Sequence, residues 1–335
     1  MGIHPEKWLR PMPGGLYCEP GGFFIDPSRP VDRAIVTHGH GDHARSGHGR
    51  VAATKETLAI MGVRYGEDFA RETQPLAYGE RLSIGDVTVM LEPAGHILGS
   101  AQVVLEHGGC RAVISGDYKR RYDPTCPPFT PVKCDVFVTE ATFGLPVFRH
   151  PPDSGEIAKV LHARELFPDR SVLIGVYALG KCQRVMALLR RAGYDRPIYL
   201  HGALQELTKL YEAQGIALGP TASVAGMVPA QLKNEIVLCP PSAIGEVWSR
   251  RLGDPVPAVA SGWMRIRARA RQARAELPLI ISDHADWDEL LMTARDVDAP
   301  EVWVTHGREE ALIHAIRQTG RKARALSLVG YEDEE

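Results

Sequence analysis

The chain has 335 residues, of which 44% are hydrophobic and 24% charged, and its formal net charge is -2. That length suggests roughly two domains, or one large domain with an insertion, around an ordinary globular core. There is no global basic excess, so a nucleic-acid ligand would have to be met by a local patch.

From the N-terminus, "MGIHPEKWLRPMPGG" has no apolar centre, so no signal peptide is expected. Position six is neither Ser nor Thr, which argues against myristoylation. No apolar run approaches a membrane span. Six scattered cysteines without a C-x-x-C pair imply reduced thiols in a cytoplasm, not disulfides or a zinc knuckle.

Short runs rich in Val and Ile, bounded by Gly, Pro or Asp, predict strands. In order they are "FFID", "RAIVTH", "VTVMLEPAGH", "QVVLEH", "RAVISGD", "DVFVTE", "SVLIGVYA", "PIYLHG", "EIVLCPP", "PLIISDH" and "EVWVTHG". Apolar residues spaced by three and four predict helices in "KETLAIMGV", "GEIAKVLHARELF", "GKCQRVMALLRRAG", "ALQELTKLYEAQG", "DWDELLMTARDV" and "REEALIHAIRQTG". The C-terminal "EDEE" is expected to be a solvated tail. Ligand-type residues end these strands: Asp26, His38, His96, Asp117, Glu140, His284 and His306. One such residue is an ordinary turn former. Seven in succession point to strands that converge on one sheet edge and gather them.

The densest group is "THGHGDH", residues 37–43. His38 and His40 lie two apart on an extended backbone, so they can point the same way, and Asp42 and His43 follow at a turn. Imidazole and carboxylate are the donors that zinc and similar divalent ions accept. Gly39 and Gly41 let the backbone bend. Four donors in six residues crowd a single ion, so two ions are the natural reading. His96, Asp117 and His306 would complete two coordination shells, with Asp117 able to bridge. Asp26 suits a carboxylate that orients a ligand histidine.

These motifs resemble the metallo-β-lactamase superfamily. The resemblance implies an α/β fold, an αββα sandwich with the metals at one edge of the sheets. "VTEATFG", "VYALGKCQRVMALL", "IISDHADWDELL" and "VTHGREEA" are similar to motifs of its β-CASP nucleases. "FFIDPSRPVDRAIVTHGHGDHARSGH", "AGHILGSAQ" and "ASGWMRIRARAR" resemble one subgroup, the bacterial ligase-associated DNA exonucleases. The resemblance implies a metallo-β-lactamase domain from residues 1–144 and 278–335, with a compact β-CASP α/β domain inserted at 145–277. That insertion is shorter than in many RNA-processing β-CASP enzymes.

By the same resemblance, His38, His40 and His96 hold one ion, and Asp42, His43 and His306 the other, with Asp117 bridging. The ions are divalent, zinc first, with manganese or iron as alternatives. Asp42, Glu140 and His284 are the implied catalytic residues. His284 is the candidate acid and Glu140 the carboxylate that holds and charges it. The implied reaction is 5′ to 3′ DNA exonucleolysis that leaves 5′-phosphate and 3′-hydroxyl ends. Its implied partners are DNA, an ATP-dependent DNA ligase and a helicase, with no membrane.

Residues 265–274, "RIRARARQAR", hold five arginines. In an extended segment Arg265, Arg267, Arg269 and Arg271 would share one face and track a phosphate backbone. A solvated charged surface is the equal alternative. Lys119, Arg120 and Arg121 form a second candidate track, and Lys181 a third candidate contact at a helix start. Trp263, and then Tyr118 or Phe143, are candidate stacking platforms. Three rivals compete with the DNA nuclease: an RNA-processing nuclease, a small-molecule lactonase or thioesterase, and a dead scaffold. Glu140, His284 and the insertion count against the second, and the full ligand set counts against the third.

Overall fold

A computed structural model describes residues 2–326, so the acidic tail lies outside the described residues. They form two compact units. One is built from the chain up to Arg149 and from His284 onward, the other from His150–Asp283.

The first unit opens with β1 (Leu9–Met12), β2 (Gly15–Cys18), β3 (Phe23–Ile25), β4 (Arg33–Ile35), β5 (His48–Ala53) and β6 (Ala70–Pro75). They pair in chain order as one six-stranded sheet, with α1 (Lys55–Tyr65) between β5 and β6. Next come β7 (Arg81–Ile84), β8 (Val87–Pro93), β9 (Ala101–His107), β10 (Cys110–Ile114) and β11 (Val136–Ala141).

The second unit contributes α2 (Asp153–Leu166), β12 (Val172–Gly175), α3 (Lys181–Arg191), β13 (Ile198–Leu200), α4 (Gln205–Ala213), β14 (Thr221–Ser223) and β15 (Ile236–Cys239). It continues with α5 (Val247–Arg250), β16 (Val256–Ala260), α6 (Arg267–Gln272) and β17 (Leu277–Leu279). Its six strands lie in the order β14-β13-β15-β12-β16-β17, all parallel. β12 and β15 are buried at every position, as expected for a parallel strand covered on both faces.

The chain returns to the first unit with α7 (Trp287–Asp296), β18 (Glu301–Gly307), α8 (Glu309–Arg317) and β19 (Lys322–Ala325). The second sheet has the order β19-β18-β11-β10-β9-β8-β7. β18 pairs in parallel with β11, although a whole unit separates them in sequence.

Side-chain alternation makes this unit layered. Val103 and Leu105, Ala112 and Ile114, and Val136 and Val138 face the first sheet, in one cluster with Leu16, Phe23, Ile25 and Ile35. Val104, Val113 and Phe137 face the other way, onto Leu290 of α7 and Leu312 of α8. Met61 and Leu58 of α1 cover Ala34, Val51 and Ala53 on the outer face of the first sheet. The order of layers is therefore helix, sheet, sheet, helix.

Two sequence expectations are corrected. The arginine segment is not extended. Gly262–Arg265 forms a 3-10 turn, the Ser261 hydroxyl accepting from the Trp263 amide, and α6 follows. Arg and Ala are both strong helix formers, which outweighs the apparent period of two. Lys119, Arg120 and Arg121 do not form an outward track. The Lys119 ammonium bonds the His284 carbonyl oxygen at 2.8 Å and Glu289 at 3.2 Å. Arg120 bonds Asp296, and Arg121 bonds Asp286.

Candidate metal centre

The site lies at strand ends of the first unit. Asp26 follows β3 in the left-handed region, at φ 44°, and its two oxygens face the next strand end. Thr37 donates its amide to Asp26 Oδ1 at 2.7 Å and its hydroxyl to Oδ2 at 2.6 Å. The hydroxyl proton is thus committed to the carboxylate. Thr37 Oγ1 must then accept from His38 Nδ1, 3.0 Å away, which leaves the lone pair of His38 on Nε2. Asp26 Oδ2 also lies 2.8 Å from His43 Nδ1, fixing the same tautomer there. The amides of His43 and Ala44 close a turn onto the His40 carbonyl. The Arg64 guanidinium holds the Gly39 carbonyl at 2.7 Å.

His96 follows β8 in a loop closed by Ser100, whose hydroxyl accepts from the amides of His96 and Ile97. Gly95 has φ 74°, and a Cβ there would lie 2.4 Å from the Lys119 carbonyl oxygen, so this close approach requires glycine. His96 Nε2 and His40 Nδ1 converge to 3.0 Å. Asp117 follows β10, and its Oδ2 lies 3.4 Å from His38 Nε2, 3.4 Å from His43 Nε2 and 3.8 Å from His96 Nε2. Asp42 Oδ2 is 3.3 Å from His43 Nε2, while its buried Oδ1 has no hydrogen-bond partner among the described residues. His306, at the end of β18 with φ 57°, brings its ring to 5.5 Å from that of His43.

His38, His40, His96 and Asp117 each offer a donor atom within 4.8 Å of the others, and so do His38, Asp42 and His43. His306 stands just outside the second group.

For His38, His306, Asp42 and Asp117 the electrostatics favour the form that a divalent ion binds. Burial and the neighbouring His43 push His38 down to about 4, against the pull of Asp117. Burial and His43 likewise push His306 down to about 4. Burial opposes ionisation of Asp42, but His43 outweighs it and holds the carboxyl below its ordinary value. The same balance, with His43 and His284 as the opposing charges, holds Asp117 well below its own. Burial also works against a His43 imidazolium. Asp117 and Asp42 nevertheless raise its pKa well above the ordinary value. The pocket therefore demands positive charge. The lowered His38 and His306, the ionised Asp42 and Asp117, the proton held on His43 and an unpartnered buried carboxylate oxygen together fit a divalent metal that would bring that positive charge instead.

Beside this group, Glu140 in β11 is fully buried. Its Oε2 lies 2.9 Å from His284 Nδ1, and its Oε1 accepts the Tyr118 amide at 2.8 Å. Burial raises the Glu140 carboxyl, with His284 opposing. The His284 ring lies 4.7 Å from the His96 ring, and Asp117, Glu140 and His284 present donor atoms within 4.8 Å of one another. The Ala285 amide bonds the Tyr118 carbonyl, so 117–119 and 284–285 are fastened together by backbone and by Lys119.

All nine of Asp26, His38, His40, Asp42, His43, His96, Asp117, Glu140 and His284 thus converge, with His306 at their margin. Of the remaining candidates, Lys181, Trp263 and the arginines belong to the second unit, and Tyr118 and Phe143 to the first. Lys181 is fully buried at the start of α3, its ammonium 2.7 Å from Asp283, so it is not exposed to a ligand as expected. Arg265, Arg267 and Arg269 are exposed. Trp263 carries the Arg269 guanidinium over its ring at 5.2 Å, while Tyr118 and Phe143 are core residues. Thr37, Ser100, Arg64 and Lys119 hold the site together and were missed as such, because single polar residues carry no spacing signal.

No family model matches the chain. It is 30% identical over 316 residues to a protein described as a probable DNA ligase from Opitutus terrae, an alignment covering 93% of this chain and 30% of that one. It is 31% identical over 208 residues to ribonuclease TTHA0252 of Thermus thermophilus, covering 53% of this chain and 48% of that one. It is 26% identical over 223 residues to cleavage and polyadenylation specificity factor subunit 3 of Dictyostelium discoideum, covering 56% and 28%. The chain thus spans less than half the length of each of these relatives. Its fold is similar to that of a protein of unknown function from Enterococcus faecalis V583, with TM-score 0.60 and 14% identity over 89% of this chain and 79% of the other.

Proposed function

Because the chain belongs to the β-CASP nuclease group of the metallo-β-lactamase superfamily, we propose that it is a metal-dependent DNA exonuclease. In this reading it works 5′ to 3′ beside an ATP-dependent DNA ligase, and the second unit is the β-CASP domain. The observation that carries the DNA assignment is the extent of similarity. The relative named for DNA ligation aligns over 93% of this chain, whereas the ribonuclease and the polyadenylation factor align over 53% and 56%.

His38, His40 and His96 would hold one divalent ion, and Asp42, His43 and His306 the other, with Asp117 shared. The bound ions, zinc first, would supply an acidified water and neutralise charge building on the phosphate. The remaining work falls to the chain. Asp26 and Thr37 fix the imidazole tautomers of His43 and His38. Glu140 engages His284 Nδ1, so the proton delivered to the leaving sugar oxygen sits on Nε2. Lys119, by bonding the His284 carbonyl, keeps that imidazole in register with Asp117.

An RNA-processing role is the second reading, favoured by the ribonuclease name of a relative 31% identical to this chain. Incubating the metal-loaded protein with end-labelled single-stranded DNA, duplex DNA and RNA of one sequence separates the two. The DNA reading expects stepwise shortening of DNA with 5′-phosphate products. Faster cleavage of RNA, or turnover of a small ester with no nucleic acid cut, would overturn it.

A further inference from the structure

The arginine turn of the second unit remains unexplained by the metal centre. Five arginines, Arg265, Arg267, Arg269, Arg271 and Arg274, fall within ten residues, all exposed. α6 carries no acidic residue in its first turn. Arg267 and Arg271 stand one turn apart on the same side of it, a like-charge pair that weakens a helix. Arg274 follows in the left-handed region at φ 52°, a conformation that favours glycine. The one acid close by in sequence, Glu276, is taken by Arg170 at 3.1 Å. Among the described residues Arg267, Arg271 and Arg274 have no carboxylate partner, as is also true of the exposed Arg250 and Arg295, and what sets the turn apart is that three such groups fall between residues 267 and 274. Arg269 is held differently, its guanidinium stacked over Trp263. Local stability does not call for this arrangement: it concentrates one sign of charge, uses a disfavoured helix pair and places Arg where Gly is cheapest.

We infer that the turn of Arg267, Arg271 and Arg274, braced by the Arg269–Trp263 stack, is a docking surface for the phosphate backbone of single-stranded nucleic acid. The inference rests on the nucleic-acid reading of the protein and adds where the strand is held. Guanidinium groups without internal partners can exchange solvent counterions for phosphates, which gives affinity without sequence preference and a steep dependence on salt. Arg269 is immobilised by its aromatic neighbour and serves as a positioning residue for the turn.

The test is fluorescence anisotropy with labelled oligo(dT) from about 0.05 to 0.2 M salt. The whole 335-residue chain is loaded with metal and carries His284→Ala to prevent cleavage. Replacing Arg267, Arg271 and Arg274 together by Ala should flatten the log Kd against log salt slope by about 2, at about 0.7 per lost single-strand contact. The triple Lys replacement should keep the slope. Hydrolysis of bis(p-nitrophenyl) phosphate by the Ala variant in the otherwise wild-type chain should be unchanged, which also reports on folding. An unchanged slope in the Ala variant, or an equal loss in the Lys variant, would overturn the proposal. Arginine-dependent binding of polyglutamate with none of oligo(dT) would overturn it in favour of an acidic protein partner. Failure of the nuclease reading shows separately, as absence of cleavage by the wild-type protein.

Discussion

The metal centre of the first unit and the arginine turn of the second treat charge in opposite ways. In the first, His38, His43, His96, Asp117, Lys119 and Glu140 are all buried, each with specific polar partners a few ångströms away. In the second, Arg267, Arg271 and Arg274 are exposed on a short helix and the turn after it, with no carboxylate among the described residues to hold them. A buried polar network is costly unless satisfied, and once satisfied it is rigid, which suits chemistry that depends on placement. An exposed arginine cluster is adaptable and screened by salt, which suits holding a chain whose sequence does not matter. The same residue class therefore serves two purposes, decided by whether the fold supplies partners.

The largest effect should come from the residue nearest both halves of the metal centre. Asp117→Ala should abolish DNA hydrolysis and lower metal content, read by cleavage assay and elemental analysis. Retained metal with full activity would break the account of the first unit. Next, His284→Ala should slow cleavage by about 10²–10⁴-fold, the usual contribution of a positioned acid, with metal content unchanged. Glu140→Gln should give a smaller loss, because the imidazole keeps a hydrogen-bonding neighbour. Lys119→Met should act first on stability. It leaves Glu289 facing a lost partner in a buried pair, a change that costs about 3–5 kcal/mol, seen as a lowered midpoint in urea unfolding. Arg121 also contacts Glu289, at 3.2 Å, so the lower end of that range is expected. Thr37→Val should weaken metal binding by about 10–100-fold through the loosened Asp26–His43 and His38 geometry, read by competition with a chelator. The smallest effect belongs to the second unit: the triple arginine variant should lose affinity for oligo(dT) at low salt and nothing on a small phosphodiester.

Much of this was legible in the residues. Asp26, His38, His96, Asp117, Glu140 and His284 come together, with His306 at their margin, because strands in one layered unit deliver their ends to a common edge. The apolar runs marked the strands that are covered on both faces, such as β11 and β12. They did not mark β6, "ARETQP", which is exposed along most of its length, or β1, "LRPM", which carries Pro at a sheet edge. Such strands are specified by their neighbours and have no hydrophobic pattern of their own. The places of Lys119 and Lys181 are hidden from the sequence for a related reason. A lysine at a strand end or a helix start looks like a surface contact, and only the fold brings Glu289 and Asp283 to their ammonium groups. The arginine alternation looked extended because Arg and Ala alternate, yet both residue types favour a helix.

The account turns on one crowded stretch, His38 to His43, being shared between two ions. Native mass spectrometry of the purified protein, beside His96→Ala and His306→Ala variants, tests this directly. Two divalent ions per wild-type chain and one in each variant are expected. A single ion in the wild type, or both ions kept in both variants, would contradict it.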